Sequence, residues 1–211
     1  MKKPILLEDG VVVGTASNKY QMKNPIARYL LNGFDSTILD LTSDLNPKSI
    51  TEVGCGEGHV TRLLLDSTQA SISGMDISDE ILDIARATVE NSERVSFEKK
   101  SIYDISENDD AADLVVCCEV LEHLEDPALG LQRLSEIAAP YALVSVPREP
   151  IFRSMNFVRG AYVKDFGNSP GHLQHWSKTS FAKFVSTQFD IVDLRSPLPW
   201  TMLLARSKKA N

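Results

Sequence analysis

Glu52-Val53-Gly54-Cys55-Gly56-Glu57-Gly58 is the stretch that decides how this chain folds. The segment Ser49-Ile50-Thr51-Glu52-Val53 leads into it, and Val60, Leu63 and Leu64 leave it at helical spacing. That is a strand, a glycine turn and a helix. Glycines at alternate positions let the backbone turn tightly and let a ligand lie against it. The dinucleotide fingerprint asks for Gly-x-Gly-x-x-Gly. Here the third glycine comes one position early, and His59 stands where it should be. Glu57 in the turn also suits a pyrophosphate poorly, so a ligand without phosphates fits better. A second apolar run, Ala70 to Met75, ends at Asp76, 22 positions after Gly54. A carboxylate there can accept both hydroxyls of a ribose. Dinucleotide enzymes share that spacing, so Asp76 does not by itself name the ligand.

Outward from this stretch, strands are expected near 49–53, 71–75, 94–99, 113–118 and 141–146, and helices near 58–66, 79–90, 127–138 and 178–187. Alternation of this kind predicts a mostly parallel sheet with helices on both faces. Phe189 to Leu194 and Thr201 to Ala205 are joined by the short Ser196-Pro197-Leu198-Pro199, which predicts a C-terminal antiparallel hairpin. The expected fold class is therefore α/β, a Rossmann-like three-layer sandwich around a seven-stranded sheet. Upstream, Ile5 to Val13 reads as a small hairpin around Asp9-Gly10, and residues 14–24 read as irregular. Asn24 caps a helix that Pro25 opens, with Ile26, Tyr29, Leu30, Phe34, Ile38 and Leu41 on its apolar stripe. Residues 147–176 form a long connection rich in Pro, Gly and aromatic residues, placed after a strand's carboxyl end. Such a connection covers the ligand crevice of an open sheet. We read it as a substrate lid with a short helix near 151–160, all within one domain spanning 1–211, of which 1–46 are the N-terminal hairpin and helix.

The chain has 211 residues, 43% hydrophobic and 24% charged, which suits one globular α/β domain. A net charge of −7 disfavours a sequence-independent polyanion surface, so nucleic acid is an unfavoured partner and a small molecule a favoured one. Cys55, Cys117 and Cys118 fit no zinc spacing and read as reduced, small hydrophobic residues. No apolar run is long enough for a membrane span. The start, Met1 to Leu7, is too short for a signal peptide before Glu8-Asp9-Gly10, so a cytoplasmic location is expected.

Three stretches together resemble the class I S-adenosylmethionine-dependent methyltransferases: Glu52 to Gly58, Gly74-Met-Asp76-Ile-Ser78, and Asp113 to Pro127, which contains Glu119-Val-Leu-Glu122-His123. The resemblance runs from about residue 24 to 206. It implies S-adenosylmethionine as cofactor, with Gly54, Cys55, Gly56 and Gly58 along its methionine part and Glu52 near the sulfonium. It also implies Asp76 on the ribose hydroxyls, Ile77 on the adenine, Asp104 at the adenine amino group and Glu119 beside the methionine or the acceptor. None of these motifs specifies the acceptor.

Glu119, Glu122 and His123 would share one face if a helix opened at Glu119. Two readings stay open. In one, His123 is the general base, with Glu122 beside it, and no metal takes part. In the other, Glu119, Glu122 and His123 join His172, from Gly171-His-Leu-Gln-His175-Trp176-Ser177, around Mg²⁺, Mn²⁺, Fe²⁺ or Zn²⁺. The second pattern is similar to the ubiquinone-pathway O-methyltransferases and the small-RNA 3′-end 2′-O-methyltransferases. Tyr162, His172, His175 and Trp176 are the lid residues expected to shape the acceptor site. The expected function is methyl transfer to a small molecule, most readily at oxygen. An RNA 2′-O-methyltransferase and a non-catalytic cofactor-binding protein are the alternatives, and a dehydrogenase is weaker because of the glycine spacing.

Overall fold

The computed structural model describes residues 6–8, 11–13, 24–90, 92–158, 160–169 and 171–210. Strands β1 (Leu6–Glu8) and β2 (Val11–Val13) pair antiparallel, as expected. The Asp9-Gly10 turn and, apart from Asn24, the irregular stretch expected at 14–24 lie outside the described residues. Helix α1 (Pro25–Thr42) begins where Asn24 Oδ1 accepts from the backbone N–H groups of Ile26 and Ala27. Phe34, Ile38 and Leu41 are buried along it. Ile26 and Tyr29 are not: they are 67% and 75% exposed, because only the later turns of α1 reach the sheet.

The alternation then runs β3 (Ser49–Val53), α2 (His59–Ser67), β4 (Ser71–Asp76), α3 (Asp79–Thr88), β5 (Val95–Lys99), the short α4 (Glu107–Asp110), β6 (Ala112–Cys118), α5 (Pro127–Ile137) and β7 (Ala138–Pro147). After it come α6 (Ile151–Val158), α7 (Lys178–Val185), β8 (Phe189–Arg195) and β9 (Trp200–Ser207). The seven-stranded sheet has the order β5-β4-β3-β6-β7-β9-β8. Strands β3 to β7 are parallel, and β9 runs antiparallel to both β7 and β8. Strand β7 is longer than expected, since it starts directly at the end of α5 and pairs with β9 as far as Pro147↔Trp200.

The sheet buries both faces, and side chains alternate between them. Leu114 and Val116 of β6 pack with Phe34, Ile50, Leu64 and Ile72 on one side. Val115 and Cys117 pack with Val53, Met75, Leu131 and Phe181 on the other. Each fully buried Leu, Ile or Phe contributes about 1.5–3 kcal/mol. This core fixes a topological switch: the chain leaves β3 toward β4 and β5, then returns to β6 on β3's other side. The carboxyl ends of β3, β4 and β6 meet there, which is where open α/β sheets bind ligands. Among the described residues no helix is long and apolar enough to cross a membrane.

Candidate functional site

At the end of β3 the glycine loop folds over its neighbour strand. The N–H groups of Gly54 and Cys55 both donate to the Met75 carbonyl at 2.8 Å, and Gly58 N–H closes the turn on Cys55 O at 3.0 Å. Gly54 and Gly56 have φ of +75° and +54°, a region where a side chain strains the backbone. A Cβ on Gly54 would overlap Val120, whereas one on Gly56 would meet nothing within 4 Å. The loop therefore presses one side onto the protein and leaves the other open. At that open side Asp76, the last residue of β4, accepts from Gly56 N–H at 3.0 Å through Oδ2 and from Ser78 N–H at 3.2 Å through Oδ1.

Half-buried Ile77 follows Asp76. Exposed Asp104 sits beyond β5, in a turn closed by its own N–H on Ser101 O. Bare backbone, a carboxylate that accepts at the rim and an acidic turn are groups that fit a nucleoside with free ribose hydroxyls.

Beneath the loop lies Glu52, 3% exposed, with Oε2 accepting from Thr61 Oγ1 at 2.5 Å. Burial pushes its carboxyl up from 4.5 to about 8; the Thr61 hydroxyl works against this and the charge of Asp76 adds to it. Burial likewise pushes the Cys55 thiol up, so it is no nucleophile.

A second group stands past β6. The helix expected to open at Glu119 does not form: Glu119 has φ of +62°, and only Leu121–His123 coil, as a 3-10 turn. Glu122, 2% exposed, His123 and His172 come together with one potential ligand atom each within 4.8 Å of one another. His123 Nδ1 lies 2.9 Å from the Gly171 carbonyl, which can only accept. The proton of the neutral ring is therefore on Nδ1 and the lone pair on Nε2, which lies 3.9 Å from Glu122 Oε1. The His123 and His172 rings meet edge-on at 4.9 Å, and Phe152 of α6 stacks on His172 at 5.4 Å. The 171–174 segment is stitched to this turn, with the N–H groups of Leu173 and Gln174 donating to Glu122 O and Gln174 Nε2 donating to Leu124 O.

Glu119 is not part of this group. Its left-handed backbone turns the carboxylate toward β7 and β9, where Oε1 accepts from Ser145 Oγ at 3.1 Å and Oε2 from Trp200 Nε1 at 2.6 Å. The four-ligand set expected from the sequence is thus a three-residue set. Two expected acceptor residues also face elsewhere. His175 is exposed, bonds Asn168 through Nε2 at 2.8 Å, and lines a separate groove of about 570 Å³ with Glu149, Phe157 and Phe166. Trp176 stacks on Phe184 at 5.2 Å and packs near Phe181, as part of the core under α7. Tyr162 is half-buried in a left-handed turn whose carbonyl accepts from Asp165 and Gly167. Sequence reasoning missed Thr61, Phe152 and the Gly171 carbonyl. Phe152 had a signal, as an aromatic in the 147–176 connection; the other two act through contacts no local pattern reveals.

Residues 50–140 match a family model described as a methyltransferase domain. Among curated proteins, the ubiquinone biosynthesis O-methyltransferase of Nitrosospira multiformis is 31% identical over 104 residues, covering 48% of this chain and 43% of that protein. The Neisseria meningitidis serogroup C protein of the same name is 28% identical over 109 residues, covering 50% and 46%. The matched stretch spans less than half the length of these relatives. Among solved structures, the magnesium protoporphyrin IX methyltransferase of Synechocystis with bound S-adenosylhomocysteine superposes with a TM-score of 0.66 at 18% identity, covering 89% of both chains. The N-methyltransferase NodS of Bradyrhizobium japonicum, also with S-adenosylhomocysteine, gives 0.66 at 17% identity and covers 88% and 89%. At such identities the superpositions establish the fold.

Proposed function

We propose that the chain is a class I S-adenosylmethionine-dependent methyltransferase, a reading supported by its fold and by the methyltransferase-domain match over residues 50–140, and that it methylates a hydroxyl group of a small-molecule acceptor. The observation that carries this reading is that the open glycine loop, with Asp76 bonded to Gly56 N–H, and the turn bearing His123, grouped with His172, follow the carboxyl ends of the adjacent parallel strands β3, β4 and β6. S-adenosylmethionine supplies an activated methyl group, whose bond to sulfur breaks with its electron pair left on sulfur. Gly54, Gly56 and Gly58 would carry its methionine part, Asp76 its ribose, and Ile77 and Asp104 its adenine.

The protein's own work is to hold the acceptor oxygen in line and to take its proton. His123 is built for the second task. Gly171 O holds its Nδ1–H, Nε2 presents the lone pair, and Glu122 at 3.9 Å stabilises the imidazolium that forms. His172, stacked on Phe152, walls the acceptor side. The partial match to O-methyltransferases and the charge of −7 support a small acceptor over RNA. A single domain with residues 147–176 as its lid, in the cytoplasm, completes the reading.

The three-residue group favours a second version of the same reaction. Glu122, His123 and His172 offer one carboxylate and two imidazoles, a set that suits a divalent metal with open positions for substrate. Such an ion would bind the acceptor hydroxyl and lower its pKa. His123 cannot be ligand and base at once, so the versions exclude each other. The deciding experiment is a thermal shift with S-adenosylhomocysteine, alone and with Mg²⁺, Mn²⁺ or Zn²⁺, repeated on His172→Ala. S-adenosylhomocysteine should raise the melting temperature by mass action, and no shift would sink the methyltransferase reading. A further rise with metal that His172→Ala abolishes would select the metal version; its absence would select His123 as base.

A further inference from the structure

Glu119, the first residue past β6, takes no part in the transfer chemistry, yet it is held at three points. Its N–H donates to Ser145 O at 3.0 Å, its Oε1 accepts from Ser145 Oγ at 3.1 Å, and its Oε2 accepts from Trp200 Nε1 at 2.6 Å. Ser145 is buried in β7, and Trp200 opens β9, where its ring meets Phe34 of α1 edge-on at 4.9 Å. The backbone of Glu119 has φ of +62°, a left-handed conformation that a side chain disfavours. Such a conformation persists only where its surroundings over-determine it. Three hydrogen bonds to two strands do so here.

The left-handed step sets the course of the chain on both sides of the site. It turns Val120 onto the glycine loop, so close that Gly54 has no room for a Cβ. It then starts the 3-10 turn Leu121–His123, closed by His123 N–H on Val120 O at 2.9 Å. That turn delivers His123 Nδ1 to the Gly171 carbonyl at 2.9 Å. Glu119 thus stands between the loop that reads as the cofactor cradle and the imidazole that reads as the base.

We propose that Glu119 is a positioning residue that couples the two halves of the site: its side chain, fastened by Ser145 and Trp200, holds the left-handed backbone and thereby seats Val120 against Gly54 and His123 against Gly171. This rests on the reading of the crevice as an S-adenosylmethionine site. Glu119 acts through Val120 and the turn, not by touching either ligand. With its anchor cut, the backbone relaxes toward negative φ. Val120 then swings off the glycine loop, and the His123 ring leaves the carbonyl that fixes its proton on Nδ1.

Two readouts test the coupling: calorimetric titration with S-adenosylhomocysteine, and nitrogen NMR of the histidine rings at mildly alkaline pH, where they are neutral. His123→Gln identifies the His123 signal among the chain's four histidines. The wild-type ring should show the tautomer protonated on Nδ1. Glu119→Ala should bind S-adenosylhomocysteine about tenfold more weakly and replace the single tautomer with a mixture. Trp200→Phe, which removes one donor, should move both readouts the same way by less. Glu119→Gln still offers an oxygen to Trp200 and an amide to Ser145, so it should restore both. Glu119→Gly accepts a left-handed backbone without an anchor, so it should restore both in part. Phe189→Leu serves as the control for lost stability, since Phe189 is buried in β8 at the end of the β8–β9 pair away from Trp200. It should lower the melting temperature and leave both readouts unchanged. Wild-type affinity and tautomer in Glu119→Ala, or a change in one readout without the other, would overturn the proposal alone. No binding of S-adenosylhomocysteine by the wild type would overturn the methyltransferase reading together with it.

Discussion

Asp76 holds the loop that it faces. Its Oδ2 accepts from Gly56 N–H and its Oδ1 from Ser78 N–H, so the carboxylate is fixed before any ligand arrives. Asp76→Ala should weaken S-adenosylhomocysteine binding by at least about tenfold, since buried ribose hydroxyls would lose a charged acceptor. Calorimetry showing wild-type affinity in that variant would count against its role. Glu52 gives a prediction for stability. Its folded value of about 8 lies above the ordinary 4.5, so between those pH values the folded state keeps a proton that the unfolded chain has lost. Stability is therefore highest below about pH 4.5 as far as this group is concerned, and is lost as pH rises through 8. The loss is on the order of 4–5 kcal/mol. Glu52→Gln should match the wild type in urea unfolding near pH 5 and exceed it near pH 8; a constant difference across that range would contradict the assignment. The glycines and Asp76 were legible in the sequence because positive φ and a strand-end carboxylate are local properties. Glu119 was not, because its conformation answers to Trp200, 81 residues away.

At the scale of elements, the turn Leu121–His123 and the segment Gly171–Gln174 form one unit. Gly171 O holds the His123 ring, and Glu122 O receives the N–H groups of Leu173 and Gln174. The connection read from sequence as a single lid has two parts: an end fastened to this turn and a stretch from α6 through Val163–Asp165 that carries exposed apolar residues such as Phe157 and Phe166. In hydrogen exchange the amides of Leu173 and Gln174 should be protected with or without ligand. Those of 160–169 should exchange fast and slow down when S-adenosylhomocysteine and acceptor are bound. Rapid exchange at Leu173 and Gln174 in the ligand-free protein would contradict the fastening. The boundaries of α2, α3 and α5 followed from periodicity to within two residues, since each has an apolar face against the sheet. The 3-10 turn in place of a helix did not. Glu119-Val-Leu-Glu-His has a good helical pattern, and only the left-handed backbone at Glu119 overrides it.

For the whole molecule, strand–helix alternation announced the parallel sheet, and the short Pro-rich link announced the antiparallel pair. The placement of β9 between β7 and β8 is a non-local pairing, written into no segment alone. That order sets β3 beside both β4 and β6, so the glycine loop, Asp76 and the turn carrying Glu122 and His123 all follow the carboxyl ends of neighbouring strands, where an open α/β sheet has its ligand crevice. The central claim is that this crevice holds an adenosyl ligand without phosphates. Calorimetric titration of the protein with S-adenosylhomocysteine and, in parallel, with NAD tests it most directly. Saturable one-to-one binding of S-adenosylhomocysteine and no heat from NAD is the result predicted from Gly54-x-Gly56-x-Gly58 and Asp76. Binding of NAD, or no binding of S-adenosylhomocysteine, would contradict it.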